Sequence, residues 1–122
     1  MKKTYLLVAA VVLLLVGLVC LTAPAKYAVS LGIKLNDRNL LHLIRTFGGL
    51  FIGFSAFLLN ARMQDKWLDA GVNAVILVMI GLIIGRGASI SLDGVPDPKL
   101  LIGLALEIIL AIWGIVILKR SK

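Results

Sequence analysis

The sequence is poor in the residues that build metal sites, disulfides and soluble surfaces. Its 122 residues include one cysteine, one histidine and six acidic residues, and 16% of the residues are charged. One cysteine cannot form an intramolecular disulfide, and with a single histidine it cannot complete a Cys/His zinc site. An ordinary soluble domain is about 25% charged. These scarcities exclude a disulfide scaffold, a Cys/His metal centre and most soluble classes, and we expect no cofactor.

Apolar residues make up 61% of the chain and lie in four long blocks, which cover residues 5–21, 40–59, 71–85 and 100–118. Helices of this length span about 22 to 30 Å, and a hydrocarbon core is about 30 Å thick. Lipid offers no hydrogen bonds to the backbone, which favours helices. We therefore predict one domain over residues 1–122, an all-α integral membrane protein folded as an antiparallel bundle of four transmembrane helices.

The basic residues indicate how this bundle lies in the membrane. Of the 13 lysines and arginines, seven lie before the first block, between the second and third, or after the fourth, and four lie in the other two connections. By the positive-inside rule, both termini are cytoplasmic and the connections 23–39 and 86–99 face outward. The net charge of +7 is thus a topology signal, and we expect no nucleic-acid partner, which would need a basic patch on a solvated face.

The first 25 residues allow a second interpretation. Met-Lys-Lys, an apolar stretch and Ala23-Pro24-Ala25 resemble a cleaved signal peptide. The apolar stretch is at the long end for such a peptide, so we favour a retained first helix.

Two connections carry structural signals. Apolar and polar residues alternate after Pro24, which predicts an extended segment at the outer interface or a helical turn around residues 27–31. Caps for the later helices are expected at Asn36, Asp37 and Asn39, and at Asp97 with Pro98 at the first helical position.

Four ionisable residues lie inside the predicted spans at a common depth. His42 and Arg45 are near the start of the second helix, Arg86 closes the third, and Glu107 lies in the fourth. Because alternate helices run in opposite directions, all four fall in the outer half of the membrane. A charge within a span costs about 2.5–3.5 kcal/mol on insertion scales, so such groups usually face the bundle interior and pair.

Small residues mark the faces expected to pack. By helical periodicity Glu107 shares a face with Gly103 and Gly114, and Arg45 shares one with Gly49. Facing stripes would bring Arg45 to Glu107. The residues predicted to pack helices are Gly48, Gly49, Gly53, Gly81, Gly85, Gly103, Ala111 and Gly114.

Five features of the sequence carry a family resemblance. They are Leu31-Gly32-Ile33, the run Leu40–Gly49, Gly85-Arg86, Pro96 with Pro98, and Glu107. The chain resembles the bacterial four-helix membrane proteins of the domain of unknown function 4345 family, which are DoxX-like in outline. The resemblance covers nearly the whole chain, and Arg45 followed by Gly48-Gly49 is its most specific element. It implies a four-helix fold in a bacterial inner membrane and no activity.

Three functions are compatible with the sequence. In a binding or accessory module, Arg45, Arg86, Glu107 and His42 would hold the head group of an amphipathic or anionic small molecule or of a membrane lipid, since two arginines against one glutamate leave a positive charge. In a structural or assembly subunit the ion pair would be internal, and the glycines would contact another copy or a membrane-protein partner. A membrane enzyme using Glu107 has less support, since no second carboxylate lies in a span. We therefore expect the first.

Overall fold

The computed structural model describes residues 1–33, 38–94 and 98–120, and in these ranges it contains helices and no strand. The elements are α1 (Lys2–Thr22), α2 (Pro24–Ser30), α3 (Arg38–Met63), a 3-10 turn (Asp65–Trp67), α4 (Leu68–Asp93) and α5 (Pro98–Arg120). Four segments are long and apolar enough to cross a membrane: Lys2–Thr22, Arg38–Met63, Asp65–Asp93 and Leu101–Arg120. The prediction of an all-α membrane protein with four transmembrane helices is confirmed.

The third spanning helix differs most from the prediction. We expected it over residues 71–85 with Arg86 at its end, but α4 continues to Asp93 and places Arg86 about two turns before that end. The two glycines beside Arg86 do not break the helix, because tertiary packing and the lack of competing water stabilise helices in a bilayer. The helix ends at Gly94, whose φ of 96° suits a residue without a Cβ.

The described part of the connection after α1 contains a short helix. Of the two expected conformations, the structure shows a short helix, α2, with Pro24 in its first turn. The missing N–H of proline costs no hydrogen bond there, because the N–H groups of the first turn have no intrahelical acceptor. Asn39, an expected cap, is instead the second residue of α3. The other expected caps, Asn36, Asp37 and Asp97, lie outside the described residues. Pro98 begins α5 as predicted.

Helix α1 occupies the middle of the bundle. It packs against α3, α4 and α5, whereas α3 and α5 are not in contact within the described part of the chain. The core that surrounds α1 is formed by Tyr5, Leu6, Ala9, Ala10, Leu13, Leu58, Ala61, Val72, Val75, Ile76, Met79, Leu110, Ala111 and Ile117. This order of helices decides which polar groups can meet.

A close backbone contact joins α1 and α3 through two glycines. A Cβ on Gly17 would lie 2.8 Å from the carbonyl oxygen of Gly48, and a Cβ on Gly48 would lie 2.7 Å from that of Gly17. The two backbones therefore touch, which only glycine permits. Gly48 belongs to the set expected to pack helices, whereas its partner Gly17 does not.

Ion pairs join the helix ends near the N-terminus. Lys2 pairs with Asp69, and Lys3 Nζ lies 3.8 Å from Asp65. Arg62 Nε donates a 3.1 Å hydrogen bond to the carbonyl oxygen of Lys3. The start of α1 thus lies beside the end of α3 and the start of α4. We call this the terminal end of the bundle and the opposite end, which carries Arg45 and Arg86, the distal end.

Candidate functional site

Arg86 and Glu107 form an ion pair between α4 and α5. Arg86 Nε donates hydrogen bonds of 3.1 Å and 2.9 Å to the two carboxylate oxygens of Glu107. Glu107 is only 8% exposed, whereas the Arg86 side chain is 34% exposed. Two of the predicted site residues are therefore brought together, and each neutralises the other.

Gly103 makes room for this pair. A Cβ on Gly103 would lie 3.2 Å from Arg86 Nη2, so the guanidinium rests against the α5 backbone one turn before Glu107. An alanine there would need the guanidinium to shift by a few tenths of an ångström. Gly103 was expected to pack helices, and in the structure it accommodates the side chain of Arg86.

Arg45 does not reach Glu107. Its Nη1 donates a 2.9 Å hydrogen bond to the carbonyl oxygen of Leu21, in the last turn of α1. The expectation that facing stripes bring Arg45 to Glu107 is wrong, because α3 and α5 do not meet within the described residues. Arg45 therefore has a neutral partner, at a helix end where carbonyl groups lack intrahelical donors and carry partial negative charge.

Tyr27 joins the distal end from α2. It is half-buried, with the Cys20 thiol and the Arg86 guanidinium as its polar neighbours. Burial raises the pKa of the Tyr27 phenol, Cys20 adds to this rise, and the positive charge of Arg86 opposes it. The sequence placed Tyr27 at the outer interface but gave no sign of these contacts, because a residue in a connection has no helical face from which to infer them.

The last turn of α1 carries the neighbours of Arg45 and Tyr27. Leu21 accepts the hydrogen bond from Arg45, and the Cys20 thiol lies beside the Tyr27 phenol. His42, one turn before Arg45, is exposed, and its carbonyl oxygen accepts a 2.8 Å hydrogen bond from Thr46 Oγ1. We call Arg45, Arg86 and Glu107 the distal cluster. With Glu107 offsetting Arg86, these three residues keep one formal positive charge, and it is on Arg45.

The remaining predicted packing residues fall into two groups. Ala111 and Gly114 are buried, and a Cβ on Gly114 would lie 2.6 Å from the Tyr5 hydroxyl. In contrast, a Cβ would have no neighbour within 4 Å at four glycines: Gly49, Gly53, Gly81 and Gly85. These four do not pack helices within this chain in the described structure.

A cleft at the terminal end was not anticipated from the sequence. It has a volume of about 660 Å³ and is lined by Met1, Lys2, Lys3, Leu68, Trp113, Val116, Ile117 and Arg120. The sequence shows basic residues beside the first and fourth apolar blocks. It does not show that they line one cleft, because that requires α1 and α5 to be neighbours. The described residues bring no three histidine, cysteine, aspartate or glutamate side chains together as metal ligands.

Comparison with known proteins identifies one relationship. No curated protein and no solved structure matches the chain. The family described as domain of unknown function (DUF4345) matches residues 1–118. This match covers all of α1 to α4 and most of α5, and it confirms the resemblance expected from Arg45 and Gly48-Gly49. The chain therefore belongs to the DUF4345 family of proteins of unknown function.

Proposed function

We propose that this protein is a membrane-embedded binding module that holds the anionic head group of an amphiphile at its distal end. The membrane is the bacterial inner membrane, both termini are cytoplasmic, and the distal end faces the outer leaflet. The proposal rests on one observation: Arg45 donates its hydrogen bond to the neutral carbonyl of Leu21, while the other arginine of the cluster is neutralised by Glu107.

An arginine with a neutral partner favours an anionic ligand. A guanidinium at the edge of a membrane span is costly unless it pairs or reaches the interface. The contact with Leu21 holds the Arg45 guanidinium in place, and the side chain stays exposed. Its planar set of N–H donors matches the oxygens of a phosphate or carboxylate.

Neighbouring groups have supporting roles in this proposal. His42 is exposed one turn before Arg45 and offers a second donor to the head group. Gly49, one turn further into the membrane, is exposed and leaves open space where a side chain would be, so an apolar tail can lie along α3 beside the guanidinium. The closed Arg86–Glu107 pair sets the position of α4 against α5.

The proposal is tested by comparing charges at the same end. The affinity of the purified full-length protein for a single-chain alkyl phosphate is measured in neutral detergent micelles, for the native chain and for Arg45→Gln. A hydrogen bond to a charged group contributes about 1.5–3 kcal/mol, so R45Q should weaken binding at least about tenfold. Lys26→Gln, which removes an exposed charge from α2, should leave the affinity nearly unchanged. Equal affinities for the native chain and a folded R45Q variant would refute the proposal.

A second function, an assembly subunit or homo-oligomer, is favoured by the open glycines. Gly49 and Gly53 on α3 lie four residues apart and face no other part of the described chain. Such small-xxx-small spacing allows close approach of another membrane helix. Energy transfer between labelled copies in bilayers measures self-association. In this alternative, Gly53→Ile abolishes energy transfer while R45Q does not. The affinity for the alkyl phosphate is then the same in the Gly53→Ile variant as in the native chain.

A further inference from the structure

The cleft at the terminal end has an amphipathic lining. Its apolar wall is formed by Leu68 of α4 and by Trp113, Val116 and Ile117 of α5, and its basic residues are Lys2, Lys3 and Arg120. The volume of about 660 Å³ lies within the range of about 300–1,000 Å³ typical of ligand sites. The cleft is distinct from the distal cluster and shares no residue with it.

The apolar wall is held rigidly. The Trp113 ring meets the Tyr5 ring edge to face, with centroids 5.0 Å apart and an interplanar angle of 86°. The Tyr5 hydroxyl donates a 2.7 Å hydrogen bond to the carbonyl oxygen of Leu110. Because Tyr5 is fully buried, it fixes Trp113 from behind and leaves the cleft open.

The basic residues are also held in position. Lys2 pairs with Asp69, and Lys3 lies 3.8 Å from Asp65, but neither acid lines the cleft. Arg120 is exposed in the last turn of α5. Among the described residues, the lining therefore presents cations and no carboxylate to an occupant, while the two acids lie beside the lysines outside the cleft.

We propose that an anionic phospholipid of the adjacent leaflet occupies this cleft. Its phosphate lies between Lys3 and Arg120, and an acyl chain lies along Trp113 and Ile117. The order of the lining, basic at the end of the helices and apolar toward the membrane, is that of a phospholipid. Each lysine or arginine near a membrane surface contributes about 1 kcal/mol to the binding of anionic lipid, which corresponds to about fivefold in affinity.

The experiment uses the full-length protein in bilayers with Trp113 as the probe. Trp67→Phe leaves Trp113 as the sole tryptophan, because the chain has two, and Trp67 is exposed outside the cleft. Phosphatidylglycerol brominated on its acyl chains is titrated into phosphatidylcholine bilayers, and quenching of Trp113 is followed. The reverse titration, with brominated phosphatidylcholine in phosphatidylglycerol bilayers, measures preference for head-group charge.

Charge variants decide where the preference arises. Lys3→Gln and Arg120→Gln should each lower the relative affinity for brominated phosphatidylglycerol about fivefold. The matched controls are Lys66→Gln and Lys119→Gln, which remove exposed charges near the same end from residues that do not line the cleft. Equal quenching by the two lipids, equal effects of cleft and control variants, or no quenching because a second copy covers the cleft would each overturn the proposal.

Discussion

Arg86 and Glu107 are paired through Arg86 Nε and both carboxylate oxygens, so Glu107 offsets the charge of Arg86. Among Arg45, Arg86 and Glu107, the remaining positive charge therefore belongs to Arg45, on a different helix. The pair and the proposed ligand site are therefore separable, because one joins α4 to α5 and the other lies where α3 meets α1.

The first prediction concerns the cost of breaking this pair. Glu107→Gln leaves Arg86 without its carboxylate, and breaking a buried pair costs about 3–5 kcal/mol. We expect a loss of about 2 kcal/mol in the free energy of unfolding, since Arg86 is one-third exposed and solvent partly screens its charge. The combination with Arg86→Gln should restore part of the loss, because it removes the charge that Glu107 no longer offsets. Labelling of Cys20, the sole and buried cysteine, during denaturation measures the unfolding. A double variant less stable than E107Q would contradict this account.

The second prediction compares two adjacent glycines. Gly48→Ala places a Cβ 2.7 Å from the carbonyl oxygen of Gly17, so α1 and α3 must separate at a cost of about 1–3 kcal/mol. Gly49→Ala meets no atom within 4 Å and should be neutral or stabilise the monomer by up to about 1 kcal/mol through helix propensity. Thermal unfolding of the two variants in the same detergent tests this contrast. Equal destabilisation would mean that the α1–α3 contact is not the close one described.

The same two glycines show what the sequence could and could not predict. Composition and block length predicted four spanning helices, because lipid leaves the backbone few other choices. The depth of Arg86 and Glu107 also predicted that they could pair. The sequence did not indicate which face of α3 is buried, since Gly48 and Gly49 differ by only one residue, about 100° around the helix. Choosing the Gly49 face placed Arg45 toward Glu107, whereas the Gly17–Gly48 contact turns it toward Leu21.

The third prediction concerns the contact between α1 and α5. A Cβ on Gly114 would lie 2.6 Å from the Tyr5 hydroxyl and 2.7 Å from Ile76 Cγ1, so Gly114→Ala should destabilise by about 1–3 kcal/mol. Tyr5→Phe loses the hydrogen bond to Leu110 at a cost of about 1 kcal/mol but removes the nearest clashing atom. The two substitutions should therefore be less destabilising together than the sum of their separate effects. Strict additivity of the unfolding free energies would show that the hydroxyl does not limit the approach of α5.

The fourth prediction is a pH dependence at the distal end. Burial raises the pKa of Tyr27 in the folded protein, whereas an unfolded tyrosine titrates near a pKa of about 10. Stability from the neutral phenol is complete below that value and is lost as pH rises through the folded pKa, because the unfolded state releases its proton first. In the Tyr5→Phe chain, where Tyr27 is the sole remaining tyrosine, ultraviolet absorbance of the phenolate reports this titration directly.

Arg86→Gln removes the charge that opposes the rise in the Tyr27 pKa, so the Tyr27 transition should move to still higher pH, while Lys26→Gln should move it little. An unchanged Tyr27 transition on loss of Arg86 would mean that the guanidinium does not act on the phenol, and a shift to lower pH would contradict the stabilisation of the phenolate by Arg86.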